Sequence, residues 1–216
     1  MSPVMMPIDN FFRSAARWPN RIAVETLEGD NVTAINYETL AKKVNALATA
    51  LQKIDPKPQS RVGICAYNTL EHLLGFLATC AAGKIWVPLN PRNGKNELDR
   101  IISLTEPSII IFDLDCSEKF GDVEAYLLVG RGFKAGVRSN NSMSFLINDN
   151  YGAFPVRHRL RPVDLQAIKF TGGSSGIPKG VMQTYRVFNT CIASMLVSFG
   201  FNKNDRHLLA APMTHG

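Results

Sequence analysis

Arg61-Val62-Gly63-Ile64-Cys65-Ala66 opens the stretch that decides the fold, and Ser108-Ile109-Ile110-Ile111-Phe112 closes it. Both are short apolar runs that read as buried strands, and Lys84–Leu89 between them is a third. The segments that join them have helical period. Asn68, with Glu71 three residues on, reads as a capping box, and Leu70, Leu73, Leu74, Leu77, Ala78 and Ala81 make one apolar stripe behind it. Gly83 is placed to end that helix. After the loop Asn90-Pro91-Arg92-Asn93-Gly94, Leu98, Ile101 and Ile102 mark a second helix, stopped near Pro107. Strand, helix, strand, helix, strand in this order implies an α/β fold with a parallel-rich sheet covered by helices on both faces.

Upstream, Ile8, Phe11, Phe12, Ala15 and Ala16 fall on one helical face, with Asp9 as cap and Pro19-Asn20 as stop. Ile22–Thr26 and Val32–Asn36 flank Glu28-Gly29-Asp30-Asn31 and read as a β-hairpin. Leu40, Val44, Leu47, Ala48 and Leu51 form the next helical stripe, broken by Asp55-Pro56-Lys57-Pro58. Downstream the pattern is weaker, with Tyr126–Val129 and Phe145–Ile147 as candidate strands. Gln166–Thr171 and Gly180–Thr184 read as two strands around a glycine-rich loop. Phe188, Ile192, Met195, Leu196 and Phe199 then form a helical stripe ended by Gly200, and His207–Ala211 reads as a last strand. On this reading residues 1–165 form an N-terminal α/β subdomain, and 166–216 carry the loop and begin a second one.

The 216 residues are 45% hydrophobic and 19% charged, a balance that excludes wholesale disorder. A formal net charge of +6 admits nucleic acid, an anionic membrane or an anionic small molecule as partner. The basic residues are scattered except for Arg157, His158, Arg159 and Arg161, which read as a solvated loop. No aromatic-plus-basic alternation accompanies them, so nucleic acid is not the expected partner. Cys65, Cys80, Cys116 and Cys191 form no C-x-x-C pair. Cys65, Cys80 and Cys191 lie in apolar runs and read as buried reduced thiols, which suits a reducing compartment. Met1–Pro7 has no basic stretch leading into a long apolar run, and no apolar segment is long enough to span a bilayer. A cytoplasmic protein is the expectation.

The chemistry is concentrated in Phe170-Thr171-Gly172-Gly173-Ser174-Ser175-Gly176-Ile177-Pro178-Lys179-Gly180-Val181. Glycines let backbone N–H groups approach an anion closely, and successive N–H groups form a concave nest. Thr171, Ser174 and Ser175 add hydroxyl donors and Lys179 adds a positive charge, so the parts suit a polyphosphate. The Walker A pattern does not match, because Lys179 is followed by Gly180 rather than Ser or Thr. The following segment starts strand-like, so a helix N-terminus is not the expected phosphate anchor.

Thr171 to Gly180 resembles the [ST]-[SG]-G-[ST]-[ST]-G-x-P-K-G loop of the adenylate-forming superfamily: acyl-CoA synthetases, aryl-CoA ligases, peptide-synthetase adenylation domains and luciferases. Gly172 stands where serine is more usual, and Thr184-Tyr185 stands where the family commonly has Thr-His. The resemblance extends to Ala15–Pro19 with Arg21–Ala23, to Tyr37–Leu40, and to Arg61–Ile64 followed by Asn68–Glu71. Trp86-Val87-Pro88-Leu89-Asn90-Pro91-Arg92 is similar to a segment most typical of the acyl-CoA synthetase branch. Ala211-Pro212-Met213-Thr214-His215-Gly216 is similar to the P-x-x-H segment near the acyl pocket.

The resemblance implies the N-terminal part of the large domain of an enzyme that converts a carboxylic acid and ATP into an acyl-adenylate and pyrophosphate, then transfers the acyl group to coenzyme A. It implies that Thr171, Gly172, Gly173, Ser174, Ser175, Gly176 and Lys179 hold the departing phosphates, with magnesium sharing the charge. It implies that His215 borders the acyl and adenylate sites. His158 and His207 read as structural or solvated, and His72 has no evident partner in the sequence. The family's Y-G-x-T-E adenine segment, T-G-D ribose segment and late lysine are not found, so a truncated or natural fragment, inactive alone, is expected. An aryl-acid or amino-acid adenylating enzyme, and a non-catalytic nucleotide-binding module, are the alternatives. The identity of the acid and the oligomeric state are not legible.

Overall fold

In a computed structural model, residues 6–28, 30–121, 123–132, 139–171 and 179–214 are described. The chain enters through helix α1 (Pro7–Arg17), the antiparallel hairpin β1 (Ile22–Glu28) and β2 (Asn31–Asn36), and helix α2 (Tyr37–Ile54). Asn36 caps α2 by accepting the Thr39 N–H at 2.9 Å. Asp9 lies inside the first turn of α1 rather than ahead of it, and its carboxylate reaches back to accept the Met6 N–H at 2.8 Å. An acid at the third helical position satisfies an orphan donor as well as a preceding cap does, so the pattern misplaced the start by a few residues.

Strand β3 (Arg61–Cys65), helix α3 (Leu70–Ala81), strand β4 (Ile85–Pro88), helix α4 (Lys95–Thr105) and strand β5 (Ile109–Phe112) follow in the expected alternation. β3 is parallel to both neighbours, with Val62 opposite Trp86 on one side and Ile109 on the other. Beyond β5 lies the parallel strand β6 (Tyr126–Val129), and beyond β4 the parallel strand β7 (Leu165–Thr171). Helix α5 (Met143–Asp149) falls between them in sequence. The antiparallel strand β8 (Lys179–Thr184) completes the order β6-β5-β3-β4-β7-β8, and helix α6 (Tyr185–Phe199) follows it.

Alternation along the strands separates two cores. Val62, Ile64, Trp86, Ile109, Ile111 and Leu128 pack with α2, α3 and α5. Cys65, Val87, Ile110 and Phe112 face the other way and pack with Leu98 and Ile101 of α4. Helices therefore cover both faces, as the run from Arg61 to Phe112 predicts. α3 lies close against the sheet because residue 75 is glycine. A Cβ there would sit 3.2 Å from the Ile111 Cδ1 and 3.3 Å from the Ile64 Cδ1. Gly83 follows the C-cap Ala82 with φ of +71°, the left-handed turn for which glycine is suited.

Four expectations are corrected. Thr69, not Asn68, caps α3, its hydroxyl accepting the His72 N–H at 3.2 Å. Phe145–Ile147 is helical, because Ser142 caps α5 and the buried Met143 and Ile147 stand one turn apart. Residues 207–211 form no strand, for an apolar run without a partner ladder stays solvated, and Leu208 is 93% exposed. Cys191 is exposed, whereas Cys65, Cys80 and also Cys116 are buried, all as free thiols. Cys191 belongs to α6, in which Tyr185 is buried and Phe188 packs on the core while every residue from Thr190 to Phe199 is exposed. Ile192, Met195, Leu196 and Phe199 thus form a helical stripe that nothing in the described chain covers.

Two buried charged groups hold the connections. Lys84 is 1% exposed, and its ammonium donates to the Asp55 carbonyl at 2.7 Å, the Lys57 carbonyl at 3.2 Å and the Ser60 hydroxyl at 2.7 Å. The Asp55 carboxylate stands 3.5 Å away. Burial pushes the Lys84 ammonium below its ordinary range, and Asp55 opposes that shift. The Asp55-Pro56-Lys57-Pro58 breaker is therefore folded around a cation and ties the end of α2 to the starts of β3 and β4. Removing the ammonium leaves carbonyls without their donor, so Lys84→Ala is expected to cost about 3 kcal/mol in urea unfolding.

Asp113 follows β5 and is buried. One carboxylate oxygen accepts the Tyr67 N–H at 3.1 Å, while Oδ1 is buried with no hydrogen-bond partner. Burial raises its pKa to about 6, with the Tyr67 N–H and the Arg131 charge pulling the other way. The folded value lies above the unfolded one of about 3.9, so this group favours folding at low pH and loses that contribution as pH rises through about 6. Asp113→Asn keeps an acceptor for Tyr67 and removes the ionisation. It is expected to raise stability at pH 8 by about 1–2 kcal/mol and to flatten the change between pH 4 and about 6 in denaturation curves.

Candidate active site

Because β3, β4, β5, β6 and β7 run parallel, their C-terminal ends emerge along one edge of the sheet. The loop singled out in the sequence leaves β7 at that edge and returns into β8. Thr171 and Lys179 are paired across the last position of the β7–β8 ladder and form its two posts. Lys179 is exposed. Gly172, Gly173, Ser174, Ser175 and Gly176 lie outside the described residues, as does His215, which directly follows Thr214.

β7 is held from the side by Lys169. Its ammonium lies 5.4 Å from the ring centroids of both Trp86 and Phe188, so one cation bridges β4 and α6 through their aromatic faces. Burial lowers the Lys169 pKa, and a nearby cysteine, Cys191, opposes it. Trp86 is itself set edge-on to Phe76 of α3, with centroids 4.7 Å apart.

The turn after β3 occupies the same edge. His72 is 1% exposed, and its Nδ1 lies 3.1 Å from the carbonyls of both Ala66 and Tyr67. Two acceptors require that Nδ1 carry the proton. Burial lowers the His72 pKa, and those two carbonyls oppose the shift without reversing it, which favours the neutral ring. With Asp113 taking the Tyr67 N–H, the turn is fixed by a donor and an acceptor from opposite sides. Asn68 projects from it. Its Nδ2 donates to the Ala211 carbonyl at 2.8 Å, and its Oδ1 accepts the Met213 N–H at 2.8 Å.

A cavity of about 180 Å³ opens there, with Tyr67, Asn68, Asn90, Arg92, Pro212 and Thr214 in its wall. The Asn90–Asn93 loop is fixed from beneath by Lys119, which donates to the Pro91 carbonyl at 2.6 Å and the Asn93 carbonyl at 2.8 Å. The Thr214 hydroxyl is buried without a hydrogen-bond partner among the described residues. Sequence reasoning missed Asn68, His72 and Asp113. Thr69 beside Asn68 was the available signal, since one residue suffices to cap α3 and the other is then free.

The remaining candidates stand apart from this edge. His158 packs over Gly83, and His207 is edge-on to Phe201 at 4.5 Å. Arg157 is paired with Asp9 at 3.0 Å and lies over the Phe12 ring, and Arg161 is paired with Asp164 at 2.9 Å. Acids thus engage two members of the basic cluster. Among the described residues, no group of three His, Cys, Asp or Glu side chains is arranged to hold a metal, and no helix is long and apolar enough to cross a membrane.

Residues 11–216 match the AMP-binding enzyme family. The chain is 26% identical over 176 residues to a polyketide synthase–nonribosomal peptide synthetase hybrid of Aspergillus japonicus, covering 82% of this chain and 4% of that protein. It is 24% identical to the 3-methylmercaptopropionyl-CoA ligase of Ruegeria lacuscaerulensis, covering 96% of this chain and 41% of that one. The crystal structure of a long-chain-fatty-acid-CoA ligase from Archaeoglobus fulgidus superposes with a TM-score of 0.83 at 19% identity, over 99% of this chain and 44% of that one. The last likeness speaks to the fold alone. The chain spans less than half the length of each of these proteins. With the family match running over almost its entire length, this chain belongs to the AMP-binding enzyme family.

Proposed function

We propose that the chain is the phosphate-gripping part of an ATP-dependent, AMP-forming acyl-CoA synthetase. The observation that carries the reading is a coincidence of place. The posts of the glycine-rich loop and the approach to His215 reach the same sheet edge, beside the cavity wall made by Asn68, Asn90 and Arg92. In this reading Thr171, Gly172, Gly173, Ser174, Ser175, Gly176 and Lys179 bind the β- and γ-phosphates of ATP. A carboxylic acid attacks the α-phosphate, and amides, hydroxyls and the Lys179 ammonium stabilise charge building on pyrophosphate as it leaves. Magnesium, when bound with ATP, would share the charge of the phosphates with this loop. His215 borders the acyl group, and coenzyme A accepts it.

A second reading is an aryl-acid or amino-acid adenylating enzyme, which the peptide-synthetase hybrid among the relatives favours. The Pro88-Leu89-Asn90-Pro91-Arg92 segment and the CoA-ligase relative favour the first.

Calorimetric titration with ATP and magnesium is the direct test. Lys179→Ala, at an exposed strand end, is expected to weaken binding by about tenfold while leaving the melting temperature unchanged. Equal affinity in both proteins would remove the loop's assigned role. The same 216-residue chain is expected to show no exchange of labelled pyrophosphate into ATP, and sustained exchange would overturn the assignment of the adenylation step to a longer polypeptide.

A further inference from the structure

Three side-chain carboxamides in this chain act as substitutes for a strand. Gln52 donates to the Val156 carbonyl at 2.9 Å and accepts the Val156 N–H at 2.8 Å. Gln59 donates to the Leu165 carbonyl at 3.1 Å and accepts the Leu165 N–H at 3.0 Å. Asn68 donates to the Ala211 carbonyl and accepts the Met213 N–H, both at 2.8 Å. An amide side chain has the donor and acceptor of a peptide group, so each reproduces the two-way pairing of a β-ladder where no neighbouring strand supplies it: Val156 and residues 211–213 lie outside any strand, and Leu165 is paired with Thr184 of β8 on its other edge. The first two brace the connection from α5 into β7. The third grips a segment that continues directly into Thr214 and His215.

We infer that Asn68 is a positioning residue that sets the Pro212–Thr214 segment at the ligand edge. This inference rests on the adenylate-forming reading of that edge. Asn68 is released for the task because Thr69 caps α3. Its backbone is held from two sides, by the His72 ring on the carbonyls of residues 66 and 67 and by the Asp113 carboxylate on the Tyr67 N–H. The turn that presents Asn68 is thus more rigid than the segment it grips, which has no ladder hydrogen bonds over the described residues 200–214. Holding Ala211 and Met213 keeps Pro212 and Thr214 in the cavity wall they share with Asn68. Gln52 and Gln59 use the same device where no ligand is expected, which makes them internal controls.

The test joins amide hydrogen exchange to two ligand titrations, with ATP·Mg and with a non-hydrolysable octanoyl-sulfamoyl adenosine as probes. In Asn68→Ala, which removes the bonds to both Ala211 and Met213, exchange at Met213 is expected to accelerate about tenfold with the melting temperature unchanged, since both bonds lie in an exposed segment. Affinity for the sulfamoyl adenosine is expected to fall about tenfold, while ATP·Mg, gripped by its phosphates, stays within about twofold. Lys179→Ala is expected to give the opposite pair of effects. Asn68→Asp keeps the acceptor for Met213 and should preserve its exchange rate. Gln59→Ala should lower the melting temperature without separating the two ligands.

Unchanged exchange at Met213 overturns the clamp. Faster exchange with equal affinities overturns its link to the ligand. If the unaltered chain binds neither probe, the reading of the loop fails and the inference falls with it, while the exchange data still report the clamp separately.

Discussion

The structure depends on β3 being buried on both faces and paired in parallel on both sides. Val62 and Ile64 face α2 and α3, Cys65 faces α4, and every residue of the strand after Arg61 is buried. A strand in that position accepts only apolar or very small residues, and its parallel neighbours must return by crossovers over the faces. The crossovers are the helices. Their length and register follow from the need to start each strand at the same end, and so every loop that follows a strand opens on the opposite end. The concentration of chemistry at one edge is thus a consequence of the topology rather than an added design.

The irregular segments are secured by another means. Where no ladder is available, the chain uses charged or amide side chains against backbone: Lys84 on the breaker after α2, Lys119 on the loop after β4, and Gln52, Gln59 and Asn68 on segments remote in sequence. A buried backbone group without a partner is costly, and these side chains meet that demand locally. They also explain why loops of low regularity can be placed accurately enough to form a cavity wall.

The fold class was legible because β3, α3, β4, α4 and β5 carry their burial in their own period. The stripe from Leu70 to Ala81 states which face of α3 is inside, and the unbroken isoleucines of β5 state that both of its faces are, without reference to anything else. Reading failed where the answer depends on a distant partner. Residues 207–211 have the composition of a strand but no neighbour, and the stripe on α6 has helical spacing but no cover. The candidate site was legible in the loop, whose glycines, hydroxyls and lysine are adjacent in sequence. Asn68, His72 and Asp113 were not, since their roles arise from contacts across 5 to 145 positions that no local pattern announces.

The attachment of the β7–β8 hairpin has a mechanical consequence. β3 is paired with β4 and with β5 at four positions each, whereas β7 meets β4 at the single pair Trp86 and Ala167. Beyond that pair β7 is held by the two hydrogen bonds between Gln59 and Leu165 and by the contacts of Lys169 with the Trp86 and Phe188 rings. The strand that carries the loop is thus joined to the sheet more through side chains than through a continuous ladder, and the placement of Thr171 and Lys179 depends on Trp86, Gln59 and Lys169.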